Sequence, residues 1–479
     1  MTGHTRYSSP LAERYASRAM LELWSPQQRH ALWRRLWLAL AEAERELGVE
    51  GITDEALAQM RAHLDDIDFE KVAAFERRFR HDVMAHVHAF GDVAPLARPI
   101  IHLGATSAFV TDNADLILMR RGLELLRAKV VDVLDALAAF ARRWRDEPTL
   151  AYTHLQPAQL TTVGKRATLW MQDLVLDLTD LEHRIATLPL RGVKGTTGTQ
   201  ASFLELFGGD HEKVKRLEQL VVAKMDFDRA LPVTGQTYSR KLDAQVLSVV
   251  AGVAASASKF AADMRVLQSF GEIEEPFETE QIGSSAMAYK RNPMRAERVN
   301  SLARFVISLE ENANQTHGVQ FFERTLDDSA NRRLVIPEMF LATDAILVLV
   351  GNIASGLEVH PARIRRRVME ELPFMATEKL IVRAVRAGGD RQEAHEVIRR
   401  HSIAAARALK DGAERNDMLE RLAADPDFQL SLSEMHDITD PRDFVGRAPE
   451  QVDEFLRDVV APILARTPAA PAEREALRV

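Results

Sequence analysis

The densest run of reactive side chains in this 479-residue chain is Gly283-Ser284-Ser285-Ala286-Met287-Ala288-Tyr289-Lys290-Arg291-Asn292-Pro293-Met294. Two serines follow a glycine hinge, a lysine comes shortly after, and Asn-Pro opens an expected helix. Asn292 suits the N-cap, and Pro293 the first helical position, where a missing N–H costs nothing. Val299, Leu302, Phe305, Val306 and Leu309 give that helix its apolar rhythm. Its free N–H groups and positive dipole end would face Lys290, a setting for a carboxylate or a developing oxyanion. A serine loop beside such a helix start is what proton removal next to a carboxylate needs. The plain alternative is an ordinary loop-to-helix junction.

Other stretches carry fewer reactive groups. In Arg80-His81-Asp82-Val83-Met84-Ala85-His86-Val87-His88, a helix would put His81 and His88 on one face and His86 well around from both. The i,i+4 pair of zinc helices is absent, so the spacing speaks against a metal. Gly104-Ala105-Thr106-Ser107 is a small-residue loop, and Thr111-Asp112 can cap the helix after it. His154, in Tyr152-Thr153-His154-Leu155-Gln156-Pro157-Ala158-Gln159, stands at an expected helix entrance. It is either a capping or core residue or an imidazole that exchanges a proton with a ligand. Gly192 to Gln200 lacks the ending and the preceding strand of a phosphate loop. It reads as a polar turn, with lining the site as the functional alternative. In Thr325-Leu326-Asp327-Asp328-Ser329-Ala330-Asn331-Arg332-Arg333 the neighbouring arginines favour charge compensation or anion binding over a metal. Arg324 and Arg333 with Ser329 would suit a phosphate, because guanidinium forks match its oxygens; a solvated charged face is the alternative. Arg14-Tyr15 by itself is a surface dipeptide.

Long helices must position these groups. Leu116, Met119, Leu123, Leu126, Val130, Val133, Leu137, Phe140 and Trp144 recur in steps of three and four, an a/d seam that packs lengthwise. Further long helices are expected through Ala167 to Leu188, Leu242 to Leu267, onward from Asn292, and Met339 to about Leu357, with Pro337 a kink or late start. No comparable strand alternation is present. The expected fold is therefore all-α, with a central bundle of five long helices over 107–359. Shorter helices fill 1–106, among them the Trp33, Leu36, Trp37, Leu40, Leu47 face and a start at Thr53-Asp54, and also 360–479. Length alone suggests about three domains.

Composition sets the outer bounds. Hydrophobic content of 46% and charged content of 28% are those of an ordinary globular chain. A net charge of −8 and a pI near 6.1 weigh against nucleic-acid or membrane-surface partners. The absence of cysteine excludes disulfides, thiolate catalysis and cysteine metal sites, and fits a cytoplasmic setting. Met1 to Pro10 is polar rather than signal-like, and no segment is expected to span a bilayer. The one biased tract is the Ala/Pro-rich tail near Pro468 to Pro471.

The Gly283–Pro293 run resembles the signature loop of the fumarase/aspartase superfamily, Gly-Ser-Ser-x-Met-Pro-x-Lys-x-Asn-Pro. Ala288 alone departs, standing where the family carries proline; no functional group is lost, but the loop is less restricted. From Ser9-Pro10-Leu11 to Phe444-Val445-Gly446-Arg447-Ala448 the chain resembles the adenylosuccinate lyase family, in the form typical of animals. The strongest stretches are Arg80 to His88, Ile101 to Ser107, Thr153 to Lys165, Arg191 to Phe203, Gln281 to Arg298 and Phe322 to Arg333.

That resemblance implies a three-domain helical homotetramer whose active sites each draw on three chains. It implies β-elimination of fumarate from adenylosuccinate, giving AMP, and from the succinylocarboxamide aminoimidazole ribotide (SAICAR, giving AICAR). No metal or redox cofactor is implied. By motif position Ser284 would be the base, His154 the general acid, and Lys290 with Asn292 the carbanion stabilisers. The implied substrate-binding residues are Arg14, Tyr15, Arg80, His81, Asp82, Thr106, Ser107, Gln236, Asn292, Arg298, Arg324, Ser329 and Arg333. Arg14, Tyr15, Ser329 and Arg333 are expected near the phosphate, and Thr106, Ser107, Lys290 and Asn292 near the succinyl carboxylates. The loop alone would also suit argininosuccinate lyase, aspartase or fumarase; the phosphate set discriminates. A binding protein that kept the fold is the reading from another class, with retained Ser284, His154 and Lys290 against it.

Overall fold

The computed structural model describes residues 5–467; the first four residues and the tail around Pro468 to Pro471 lie outside them. After a helical turn at Leu11–Tyr15 and a short helix at Arg18–Leu23 come α1 (Pro26–Glu46), α2 (Asp54–Ala62), α3 (Phe69–Phe79) and α4 (Asp82–Val93). Their starts follow from local chemistry. The side chains of Ser25, Thr53 and Asp68 each accept a first-turn N–H, and Pro26 opens α1.

Five long helices form the centre: α5 (Ser107–Arg143), α6 (Val163–Thr187), then, after α7 (His211–Lys224), α8 (Lys241–Phe270), α9 (Met294–Gly318) and α10 (Asp327–Gly356). The seam of α5 is buried from Leu116 to Leu137. A fully buried leucine or valine contributes about 1.5–3 kcal/mol, so this seam dominates the stability of the element. α5, α8 and α10 descend, while α6 and α9 ascend. Ser107, Lys241, Gly318 and Asp327 therefore share the upper end, and Arg143, Val163, Phe270, Met294 and Gly356 the lower one.

Several expectations change at element ends. α5 begins at Ser107 with Thr106 as N-cap, so Thr111-Asp112 lies inside the helix rather than ahead of it, and Trp144 is the residue just past its end. α10 begins at Asp327 and carries Pro337 in its interior, so Pro337 is not a late start. Two small antiparallel pairs also form: β1 (Pro148–Thr153) with β2 (Gln156–Thr162), and β3 (Ile273–Glu274) with β4 (Glu358–Val359). The β1–β2 hairpin carries no strand signal in the sequence because most of Gln156 to Gln159 is exposed, so no apolar alternation is imposed on it. α8 and α10 are, against expectation, long and apolar enough to cross a membrane by length and composition. Here they are central helices of the bundle, and burial on many sides produces the same composition.

Beyond β4, α11 (Pro361–Met375), α12 (Thr377–Arg386) and α13 (Arg391–Lys410) lead into shorter helices. Leu380, Ile398, Met418, Leu422 and Met435 make a small core of their own. The chain then returns, and Val452, Leu456, Val460 and Ile463 join the main core.

Candidate active site

The loop between α8 and α9 holds the serines. Ser284 Oγ accepts the N–H groups of Ala286 (3.3 Å) and Met287 (3.2 Å). Two amides converging on one oxygen stabilise negative charge there. Lys290 N–H donates to Met287 O (3.0 Å), closing a turn with Ala288 at its second position. The loop is pinched at Gly283, where a Cβ would lie 2.1 Å from Lys290 O. Asn292 Nδ2 donates to Gly283 O (2.7 Å) across that neck.

Two sequence readings are corrected here. Asn292 is not the N-cap: α9 starts at Met294 after Pro293, and the Asn292 amide holds the loop instead. Nor is the helix start free to bind an anion. Buried Glu275 accepts the N–H groups of Arg295 and Ala296, both at 2.9 Å. Burial raises the Glu275 carboxyl, with the two amides pulling the other way. Arg291 bridges Glu274 (3.2 Å) and Glu358 (2.9 Å), tying the loop to β3 and β4. One turn into α9, the Arg298 guanidinium lies 5.6 Å from the Tyr15 ring, with exposed Arg14 next to it in sequence.

His154 is not at a helix entrance. It and Leu155 form the tip of the β1–β2 hairpin, with φ of 53° and 56°. Consecutive positive φ values are those of a tight hairpin turn, and without glycine they cost stability. The tip is exposed, and among the described residues the imidazole has no hydrogen-bond or ion-pair partner. The root is fixed, since Tyr152 Oη accepts from Arg367 (3.1 Å) and its ring lies 5.5 Å from Phe270.

The upper end gathers most of the remaining candidates. His81 is the N-cap of α4; its Nδ1 accepts Met84 N–H (3.3 Å), and its Nε2 lies 3.4 Å from Ser107 Oγ. Asp82 accepts from Arg333 (2.7 Å). Burial would raise its carboxyl, but the Val83 N–H and the Arg333 guanidinium outweigh that and hold it below the usual range. Arg80 is exposed at the end of α3, and Thr106 makes no side-chain cap at α5. Gln236 N–H donates to Glu323 O (3.1 Å), and its own carbonyl accepts from Arg191 (2.8 Å). A Cβ on Gly235 would lie 2.5 Å from Glu323 O, so glycine there lets Gln236 approach the Arg324 segment. Arg324 is half-buried without an ion pair among the described residues, Ser329 sits in the first turn of α10, and Arg333 follows one turn later.

A charge network that sequence reading missed lies beneath this cluster. Arg240 pairs with Asp112 (3.2 Å) and Asp328 (2.7 Å), and Arg332 with Asp243 (2.7 Å) and Asp115 (3.1 Å), all of them buried. Burial alone would raise the Asp112 carboxyl; the guanidiniums of Arg240, Arg332 and Arg191 hold it low. The Thr325–Arg333 stretch does compensate charge, as one of its readings expected. Asp328 and Arg332 compensate charge inside, while Ser329 and Arg333 lie nearer the surface. The Gly192–Gln200 turn offers no free cation, since Lys194 is buried and paired with Glu218 (2.7 Å). His86 stacks on His30 (3.9 Å) and His88 lies 4.6 Å from Phe79, so the three histidines of 81–88 have three separate surroundings.

One chain therefore presents three groups of candidates. Ser284, Lys290, Asn292, Arg298, Tyr15 and Arg14 gather around the loop; His154 is at the exposed tip of the hairpin; the rest are at the upper end. The 37 residues of α5 put roughly 55 Å between Ser107 and the root of the hairpin. The 30 residues of α8 put roughly 45 Å between Gln236 and the loop. Ser17, next to the Tyr15 segment, is held by Asp344 (2.7 Å), roughly 20 Å further along α10 than Ser329. The expected phosphate set of Arg14, Tyr15, Ser329 and Arg333 is not assembled within one chain, and neither is the carboxylate set of Thr106, Ser107, Lys290 and Asn292.

Comparison with known proteins bears on what this arrangement is for. A lyase family model matches residues 5–308, and an adenylosuccinate lyase C-terminus model matches residues 373–455. The adenylosuccinate lyase of Saccharomyces cerevisiae is 53% identical over 95% of both chains. That of Schizosaccharomyces pombe is 51% identical over 97% of both, and that of Schistosoma mansoni 48% over 96% of both. The crystal structure of a fumarate lyase from Mesorhizobium sp. BNC1 matches with a TM-score of 0.77 at 25% identity, covering 94% of this chain and 99% of that one. The 3-carboxy-cis,cis-muconate lactonizing enzyme of Pseudomonas putida shares the fold, with a TM-score of 0.80 at 24% identity over 94% and 98% of the two chains. On its pinched serine loop, its five-helix bundle and this end-to-end identity, the chain belongs to the adenylosuccinate lyase family of the fumarase/aspartase superfamily.

Proposed function

We propose that this protein eliminates fumarate from adenylosuccinate, giving AMP, and from SAICAR, giving AICAR. The observation that carries the substrate-level reading is the 53% identity, over 95% of both chains, to the adenylosuccinate lyase of Saccharomyces cerevisiae. In the reaction a base takes a proton from the carbon beside a succinyl carboxylate. The resulting carbanion expels the nitrogen, the C–N bond breaks, and an acid returns a proton to that nitrogen. The two amides on Ser284 Oγ favour the ionised serine that such a base requires. Lys290 and Asn292, at the neck of the same loop, bind the carboxylate whose charge grows in the carbanion. His154 supplies the proton to the leaving nitrogen, and an exposed, unpartnered imidazole at a turn is available for that. Arg324, Ser329 and Arg333 offer a phosphate subsite beside His81 and Ser107.

The separations along α5 and α8 support a site shared between copies, in a homotetramer. Apolar residues on the outer faces of the long helices point the same way: Leu169 and Leu176 on α6, Phe305 and Ile307 on α9. A cytoplasmic setting belongs to the same proposal, on the cysteine-free composition. The test follows ultraviolet absorbance of adenylosuccinate with purified protein, with argininosuccinate as the control. Turnover of the first and not the second is expected; no turnover of adenylosuccinate overturns the reading.

A further inference from the structure

Glu275 has no part in the elimination as described, yet it occupies a singular place. It follows β3 directly and precedes Pro276, where the chain enters the signature loop. Its two carboxylate oxygens accept the N–H groups of Arg295 and Ala296, both at 2.9 Å. The first amides of a helix have no partner within it, so Glu275 caps α9 from the far side of the loop. Its own N–H donates to Gln268 Oε1 (3.2 Å), while Gln268 Nε2 donates to Arg291 O (3.1 Å). Gln268 belongs to the last turn of α8. Arg295 completes the tie by donating to Pro276 O (2.6 Å). The entering and leaving strands of the loop are thus fastened to each other and to the ends of α8 and α9, by groups that are themselves buried.

We propose that Glu275, acting with Gln268, is a positioning residue for the elimination. It fixes both feet of the loop, so that Lys290 and Asn292 at the neck stay in register with Ser284. The proposal rests on the lyase reading of the loop. The same contact takes up the first amides of α9, which an internal carboxylate already holds. A shift of about 1 Å in a positioned group can cost about 10²-fold in rate, so a clamp of this kind acts on turnover and not only on folding.

The test is Glu275→Gln, which keeps the volume and one acceptor oxygen but turns an NH₂ toward a backbone N–H. With helix content and oligomer mass unchanged, kcat on adenylosuccinate should fall about 10²-fold while KM changes little. Trypsin should also cut the native variant after Lys290 or Arg291 faster than it cuts the wild type. A purely structural Glu275 would lower the unfolding temperature and leave both readouts where they are, and that result overturns the proposal. If Glu275→Gln does not fold, Gln268→Met replaces it. That variant cuts the link to Arg291 and spares the carboxylate, and the same two shifts are expected at smaller size; unchanged values overturn the proposal. Wild-type protein inactive on adenylosuccinate would defeat the functional reading instead, and the tryptic comparison would still decide the clamp.

Discussion

Ser284 and Ala288 are the single positions of the loop at which the proposed reaction is most directly tested. Ser284 Oγ accepts from two amides of its own turn, while the first amides of α9 are taken by Glu275. We predict that Ser284→Ala lowers kcat by about 10²–10⁴-fold, the loss that follows removal of a positioned base, with folding and substrate affinity nearly intact. Steady-state kinetics that retain more than about a tenth of wild-type kcat would show another base at work. Ala288 occupies the second position of the turn closed by Lys290 N–H and Met287 O, a place where proline fits without distortion. Proline there should favour the ordered loop by about 0.4–1 kcal/mol, mostly by restricting the open state. We therefore predict that Ala288→Pro raises kcat/KM by about two- to five-fold. An unchanged or lower kcat/KM would mean that loop ordering does not limit the reaction.

Among the elements, α5, α8 and α10 are joined at their upper ends by charge rather than by the seam. Arg240 lies between Asp112 of α5 and Asp328 of α10, and Arg332 reaches Asp243 of α8 and Asp115 of α5. Removing one partner of a buried pair leaves an uncompensated charge, which costs about 3–5 kcal/mol. Arg240→Leu should destabilise the protein by about that amount, and because Asp328 adjoins Ser329 it should also weaken substrate binding. Urea unfolding measures the first effect and KM the second. A variant as stable as wild type would show that the network contributes nothing net. The hairpin is the contrasting element. Its root is packed on α8 and α11, but its tip holds His154 at positive φ with no partner among the described residues.

For the whole molecule, an imidazole at an exposed hairpin tip without a partner among the described residues, and the split of the other candidates between the two ends of the bundle, predict complementation between copies. Inactive His154→Ala and inactive Ser284→Ala proteins, dissociated and reassembled together, should recover partial activity. No recovery in verified mixed oligomers would place both residues in one site from one chain. A second whole-molecule property is acid stability. Burial pushes His30 down to about 4, with Arg29 adding to it; burial and the neighbouring His30 push His86 down to about 3; burial and His81 push His102 down to about 4. Unfolded, each titrates near its ordinary value of about 6.5. The unfolded chain therefore binds more protons below that pH. The stability of these neutral histidines is fully present above about 6.5, falls as the pH drops, and is lost once the pH passes their folded values. Each can steepen the loss by up to about 1.4 kcal/mol per pH unit. Urea midpoints measured down to about pH 5 should show this, and His86→Leu should flatten the slope by one histidine's share. A slope unchanged in that variant would mean His86 is not excluded from protonation in the folded state.

The long helices and the serine loop were legible in the sequence because their signals are local. A seam repeats every three or four residues, and a signature such as Gly283 to Pro293 lies in one unbroken run, so each can be read without knowing what it packs against. What only the tertiary structure decided depends on partners distant in the chain. Glu275 meets amides 20 residues away, and Arg240 meets Asp112 across 128 residues; no periodicity marks either pairing. For the same reason Asn292 reads as a cap and serves as a tie, and Asp112 reads as a cap and is a buried ion. The hairpin beneath His154 gave no pattern because its exposed faces impose none. The division of the candidate residues between the two ends of the bundle follows from helix length alone. A rigid helix of about 1.5 Å per residue carries its two ends apart, however close their motifs stand in a list of functional groups.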